Sequence, residues 1–182
     1  RLAGVGAIGE NGLLFDPDYG SGVFIGTILT DLPFSPVPAV HRRRAPTPPP
    51  SPSEDILRCN HCGACRRACP LGALDGNGRV DETRCLSALT QQGGALSPQA
   101  ADAVKRHPLI WGCDLCQRIC PMNRHVPETG NPAFREALLC TLSSSDLDGL
   151  TRRQFTKAYP DRAFTWRGPA PLRRNLRLKE EL

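Results

Sequence analysis

The apolar positions of this chain fall in short groups, and few groups keep a strand or helix period for long. Leu13-Leu14-Phe15 is a brief apolar run closed by the turn cluster Asp16-Pro17-Asp18-Tyr19-Gly20. Val23 to Leu29 is rich in β-branched residues and reads as a second strand. The two strands either pair antiparallel or, the preferred reading, form the edge of a sheet whose other strands lie elsewhere. Pro33 to Pro52 has too much proline for a helix or an inner strand and reads as a linker. Asp75-Gly-Asn-Gly-Arg-Val80 is a turn into a short strand, and Asp81 is placed to cap a helical turn running to Cys85. Ser97-Pro98 pairs a good cap with a good first residue, so a helix is expected through about Arg106, stopped by Pro108. Further helices are expected over Asn131 to Leu139 and from about Ser145 to Tyr159, the latter with Leu147, Leu150 and Phe155 on its apolar side.

The cysteines change this picture. Cys59-Asn-His-Cys62-Gly-Ala-Cys65-Arg-Arg-Ala-Cys69-Pro70 has the spacing of a bacterial [4Fe–4S] ferredoxin run. Three close thiolates reach three corners of one cubane, and the fourth ligates the other cluster of a pair. Cys113-Asp-Leu-Cys116-Gln-Arg-Ile-Cys120-Pro121 repeats the spacing without the first cysteine, and Cys85 can supply it. The expected partition is Cys59, Cys62, Cys65 and Cys120 on one cluster, with Cys69, Cys85, Cys113 and Cys116 on the other. Zinc would leave the two Cys-x-x-x-Cys-Pro endings without a role. Disulfides need an oxidising compartment, and cysteines this close pair poorly. Cys140 stands alone in an apolar run and is expected to be a buried structural thiol.

Composition adds limits. The chain has 182 residues, with 5% aromatics against 18 Pro and 17 Gly, so the core should be small and bound metal should stabilise the middle of the chain. It opens on Arg1, and its only methionine is Met122, so it reads as part of a longer protein. No run reaches the roughly 18–20 apolar residues of a membrane span. Thiolate-rich sites without a visible signal peptide argue for the cytoplasm. The net charge is +5, and from Thr151 onward nine Lys or Arg face three acidic residues. This tail is either a solvated terminus or a surface for nucleic acid. The linker's Arg42 to Arg44 is read as solvated.

Gly4-Val-Gly6-Ala-Ile-Gly9 matches a dinucleotide-binding pattern. That reading is rejected, because no strand precedes it, no βαβ unit follows, and the next residues read as strand.

Several motifs together carry a family resemblance. They are Gly4-x-Gly-x-Ile-Gly-x-Asn11, Gly20-Ser21-x-x-Phe-Ile-Gly-x-Ile-Leu-Thr30-Asp31, the eight cysteines, Arg84-Cys-x-Ser87-x-Leu-Thr90, Gly112-Cys-Asp114-x-Cys-Gln-x-x-Cys-Pro121-x-Asn123 and Leu172-Arg-Arg-Asn175. These resemble the epoxyqueuosine reductases. The resemblance implies an enzyme that reduces epoxyqueuosine to queuosine at the wobble base of a tRNA, passing electrons through two clusters to cobalamin. It implies that Ser87 and Asp114 face cobalamin, and it favours Arg173 and Arg174 as tRNA contacts. It further implies a small electron donor such as flavodoxin or ferredoxin, and a monomer in the cytoplasm. The family's acidic proton donor would lie before the position of Arg1. Family members carry a lysine where this chain has Glu10, so either the chain is divergent or Glu10 faces solvent.

The expected architecture is α+β. Residues 1–32 would be a remnant of a cobalamin-binding reductase domain, 33–53 a linker, 54–130 a ferredoxin-like double-cluster domain and 131–182 a helical basic segment. The rival reading is a ferredoxin-type electron-transfer module with no enzyme activity. A third, a reductive-dehalogenase-type corrinoid reductase, would leave the basic tail unexplained.

Overall fold

The computed structural model describes residues 6–16, 18–32 and 59–180. Gly4 and the whole proline-rich linker lie outside these residues.

The glycine-rich opening forms a hairpin instead of a phosphate loop. Strand β1 (Ala7–Ile8) pairs antiparallel with β2 (Leu14–Phe15), Ala7 opposite Phe15 and Ile8 opposite Leu14. A Cβ on Gly6 would sit 2.2 Å from the Phe15 carbonyl oxygen, and one on Gly9 2.5 Å from the Phe15 ring. The glycines are there to let the two strands close on Phe15. The expected strand over Leu13 to Phe15 is present, but its partner is Ala7–Ile8. Val23 to Leu29 forms no strand and pairs with no other segment among the described residues, and Phe24 is 93% exposed.

Six short α-helices follow among the described residues. Helix α1 (Ala64–Ala68) and α4 (Leu115–Arg118) carry the two cysteine runs and pack together. Helix α2 (Leu86–Gln91) begins immediately after Cys85, later than the turn expected from Asp81. Asp81 still caps locally, its carboxylate accepting from the Thr83 amide at 3.0 Å. Helix α3 (Pro98–Arg106) has the expected bounds, with the Ser97 hydroxyl accepting from the Ala100 amide.

The segment expected to be helical over Asn131 to Leu139 forms only a 3-10 turn at Pro132–Phe134. The long helix expected from Ser145 is also shorter. Gly149 takes a left-handed φ of 67°, and α5 (Arg152–Ala158) starts afresh behind a Thr151–Gln154 capping box. Helix α6 (Ala170–Glu180) closes the described chain.

Two small cores result. Leu147, Phe155, Leu172 and Leu176 form one, with Trp111, Tyr159 and Phe164 against it. Leu86, Ala103 and Val104 form the other, with Cys113 and Leu178 against it. Helix α6 therefore belongs to both, and residues 110–113 run between them. The mixture of a small sheet and several helices is consistent with the α+β expectation.

Candidate metal centre

Each cysteine run turns sharply before its helix. In the first, His61 and Gly63 take positive φ values of 53° and 67°, which swing Cys62 and Cys65 toward one side. Histidine is among the residues that tolerate this region, and glycine enters it freely. In the second, Gly112 takes a φ of 75° immediately before Cys113.

The thiols gather in two neighbourhoods. Cys59, Cys62, Cys65 and Cys120 line one cavity with Glu10, Asn11, Phe15 and Met122. Burial raises the Cys120 thiol above its ordinary range, helped by the neighbouring charges of Cys59 and Cys62. Burial also raises the Cys113 thiol, with Cys85, Asp114 and Cys69 adding to the shift. Burial pushes the Cys116 thiol up to about 11, and its cysteine neighbours Cys113, Cys85, Cys65 and Cys69 push the same way. Desolvated thiols crowded together are unfavourable as free thiolates, and a metal that takes up their charge relieves this. The donor set, eight thiols in two crowded groups, therefore fits two thiolate-ligated iron–sulfur clusters. The Ala73 amide donates to Cys69 Sγ at 3.2 Å, a contact of the type that tunes cluster potential.

The N-terminal hairpin is tied to this centre. The Ser21 amide donates to Asn123 Oδ1 at 3.0 Å, and Asn123 Nδ2 donates to the Ser21 hydroxyl at 2.8 Å and the Gln117 carbonyl at 2.9 Å. Ser21, Gln117 and Asn123 all stand in the motifs that carry the resemblance, but sequence reading gave them no partner. Their signal was present without a geometry.

Ser87 and Asp114 both lie beside cysteines of the second neighbourhood. The Asp114 carboxylate is exposed and makes no cap bond to α4, although the residue holds the cap position. The Ser87 hydroxyl is half-buried and accepts from Gln91 Nε2. The fold leaves the Asp114 carboxylate largely available to a ligand.

Two expectations are corrected. Cys140 is exposed, because the segment around it forms no helix that could turn it inward. Glu10 does not face solvent; its carboxylate pairs with His61. Arg173 and Arg174, favoured by the resemblance as tRNA contacts, are half-buried and donate to main-chain carbonyls of the fold. Arg174 donates through Nη1 to the carbonyls of Gln92 and Gly94, through Nη2 to Leu89 and Asn175 Oδ1, and through Nε to the same Asn175 oxygen. All five of its N–H donors are engaged. Arg173 binds the carbonyls of Leu147 and Leu150. Lys179 likewise binds those of Val104, Lys105 and His107 at the end of α3. Carbonyls at helix ends lack intrahelical partners, and cations satisfy them well. A charge count cannot distinguish such internal caps from a phosphate-facing surface.

Comparison with known proteins bears on these geometries. Residues 58–123 match the 4Fe-4S double cluster binding domain family. The chain is 34% identical over 177 residues to an epoxyqueuosine reductase of Listeria monocytogenes, covering 95% of this chain and 41% of that protein. It is 31% identical over 179 residues to the epoxyqueuosine reductase of Bacillus subtilis, with the same shares. Among solved structures, epoxyqueuosine reductase from Streptococcus thermophilus superposes with a TM-score of 0.69 at 30% identity, covering 97% of this chain and 42% of that one. A crystal structure of epoxyqueuosine reductase with an epoxyqueuosine-modified tRNA-Tyr stem loop superposes with a TM-score of 0.66 at 28% identity, covering 96% of this chain and 42% of that one. The chain thus spans about two fifths of the length of the curated relatives it matches.

Proposed function

The chain is a relative of the epoxyqueuosine reductases, and on that premise we propose that it is the cluster-bearing part of an enzyme reducing epoxyqueuosine to queuosine in tRNA. The observation that carries this is the reach of the likeness. It extends over 95% of the chain, whereas the double-cluster family covers residues 58–123 alone. A free-standing ferredoxin-type module would share the cysteine runs without the hairpin before them or α6 after them.

In this reading Cys59, Cys62, Cys65 and Cys120 hold one cluster. Cys69 crosses to join Cys85, Cys113 and Cys116 on the second. The shared cavity and the thiol neighbourhoods support this partition. The packing of α1 on α4 brings the two cysteine runs together, which supports an electron path between the clusters that they would hold. The Ala73 amide, which donates to Cys69 Sγ, would favour the reduced state of a cluster held there. Ser87 and Asp114, beside the second group, would meet cobalamin, which when bound supplies the metal-centred chemistry of epoxide reduction. Electrons would enter from a small donor such as flavodoxin or ferredoxin.

The partner is a tRNA with a queuosine-type anticodon loop. The exposed charges offered to its phosphates are Arg153, Lys157 and Arg177, because Arg174 is engaged inside the fold. Among the described residues no helix is long and apolar enough to cross a membrane. Thiolate-rich centres suit a reducing compartment, which supports the cytoplasm, and the reading keeps the chain a monomer.

The test is anaerobic reconstitution of the native protein, followed by turnover of epoxyqueuosine-containing tRNA with cobalamin and a reduced donor. About eight irons per chain and formation of queuosine are expected. Eight irons and rapid electron exchange without queuosine would identify the ferredoxin-type module instead.

A further inference from the structure

We infer that Asn175, on the last helix, is a positioning residue for the second cluster, fixing the separation of the segments that carry Cys85 and Cys113. This rests on the two-cluster reading above and adds a residue that contacts no ligand thiol itself.

The Asn175 side chain is fully buried, an unusual state for an amide unless its bonds are complete. They are complete. Nδ2 donates to the Thr90 carbonyl and to the Ile110 carbonyl, each at 2.8 Å. Oδ1 accepts from Nε and Nη2 of Arg174 at 3.0 and 2.9 Å. Arg174 in turn holds the carbonyls of Leu89, Gln92 and Gly94 around the end of α2. The amide is thereby fixed in orientation before it reaches either carbonyl.

The two carbonyls it joins belong to the two ligand segments. Thr90 sits in the last turn of α2, the helix whose cap residue is Cys85. Ile110 leads through Gly112 into Cys113. A second link runs in parallel. The Gly112 amide donates to Thr90 Oγ1 at 3.0 Å, and that hydroxyl donates to the Ser87 carbonyl at 2.9 Å. Thr90 is also fully buried. Three hydrogen bonds therefore lock residues 110–112 to α2, and the helix transmits that position rigidly to Cys85. Cys113 packs against the core of Leu86, Ala103 and Val104, as Leu178 of α6 does. The first group is arranged differently, by the hairpin, α1 and the end of α4. The clasp thus acts on one cluster and not on both.

The experiment compares the parent protein with Asn175→Asp and Asn175→Leu after anaerobic reconstitution. The two clusters are assigned beforehand through Cys62→Ser and Cys85→Ser, each of which alters the spectrum of its own cluster. Asn175→Asp keeps an acceptor for Arg174 and removes both Nδ2 donors. In it, the cluster assigned through Cys85 should release iron to a chelator roughly tenfold faster, or shift its midpoint potential. The cluster assigned through Cys62 should keep its rate and its midpoint. If Asn175→Leu does not fold, Thr90→Val, which removes the hydroxyl that accepts from the Gly112 amide and donates to the Ser87 carbonyl but keeps the Thr90 carbonyl for Asn175, should show the same selective effect. Two unchanged clusters, or two clusters lost in parallel, would overturn the inference. A parent that holds four irons or fewer overturns the two-cluster reading itself, and does so before any variant is made.

Discussion

Glu10 Oε1 lies 2.9 Å from His61 Nδ1, joining the N-terminal hairpin to the first cysteine run. The Glu10 side chain is 11% exposed, and it lines the cavity shared by Cys59, Cys62, Cys65 and Cys120. Its charge contributes to the rise of the Cys65 thiol, behind burial as the main cause. A carboxylate here replaces the lysine that the family resemblance leads one to expect, and the chain answers with a histidine partner. Negative charge beside a cluster disfavours adding an electron to it. Glu10→Gln should therefore raise the midpoint of the cluster assigned through Cys62 by some tens of millivolts, on the order of 1 kcal/mol for one electron. Iron content should not change. A potentiometric titration with an unmoved midpoint would show that the carboxylate's charge is screened from the cluster.

Arg174 acts as a fastener, and its loss should be read in stability before it is read in RNA binding. Arg174→Ala would leave the carbonyls of Leu89, Gln92 and Gly94 and the Asn175 oxygen without their charged donor. The expected loss is roughly 2–3 kcal/mol, the scale of charged hydrogen bonds in a half-buried site. Thermal unfolding under anaerobic conditions measures it. The slope of tRNA affinity against salt should instead fall in the triple variant Arg153→Ala, Lys157→Ala, Arg177→Ala, by about one unit for each phosphate contact removed. An equal slope in the parent and the triple variant would remove these three from the RNA surface.

The fold was legible where a residue's role is decided by its neighbours in sequence. Ser97-Pro98 announces α3 because cap and first-residue chemistry are local. The cysteine spacing announces the thiol groups for the same reason. Tertiary decisions were not legible. Val23 to Leu29 has strand chemistry, yet no neighbouring segment in the described chain forms a ladder with it. The pattern from Ser145 to Tyr159 placed Leu147 and Phe155 in the core correctly, but missed that the chain only turns up to the left-handed Gly149 and becomes helical from Arg152. The Arg-Arg-Asn run was visible as a motif. Its role as a clasp depends on carbonyls of Leu89, Thr90 and Ile110, far away in sequence, and main-chain carbonyls leave no trace in residue identity.

His107 gives the fold a dependence on pH. Its side chain is buried, and burial together with the nearby charge of Lys179 holds the imidazole below its ordinary value of 6.5, against a smaller opposing pull from the Gly112 backbone and Asp114. The unfolded chain therefore binds the extra proton more readily than the folded one. This contribution to stability is fully present above pH 6.5 and is lost as pH falls through the lower folded value. His107→Gln should flatten that part of the stability profile while the Lys179 bond to the residue's carbonyl remains available. Chemical unfolding of the parent and the variant between pH 5 and 8 checks this, since His titrates in about that interval. Parallel profiles would remove His107 as the source.

Asp114 offers the clearest separation between cofactor contact and scaffold. Its main-chain carbonyl accepts from the amides of Gln117 and Arg118, which starts α4 whatever the side chain is. Its carboxylate is exposed, with only a long 3.5 Å contact from Gln117 Nε2. Asp114→Ala should therefore leave α4, and with it Cys116, in place. If the carboxylate meets cobalamin, the variant of the native protein should keep about eight irons and bind cobalamin more weakly, by a factor of roughly 5 to 100 for one lost charged hydrogen bond. Iron analysis and equilibrium dialysis with cobalamin read the two quantities separately. Iron lost with cobalamin binding unchanged would make Asp114 part of the scaffold. Both retained would leave Ser87 as the remaining candidate on this face, to be tested as Ser87→Ala by the same two measurements.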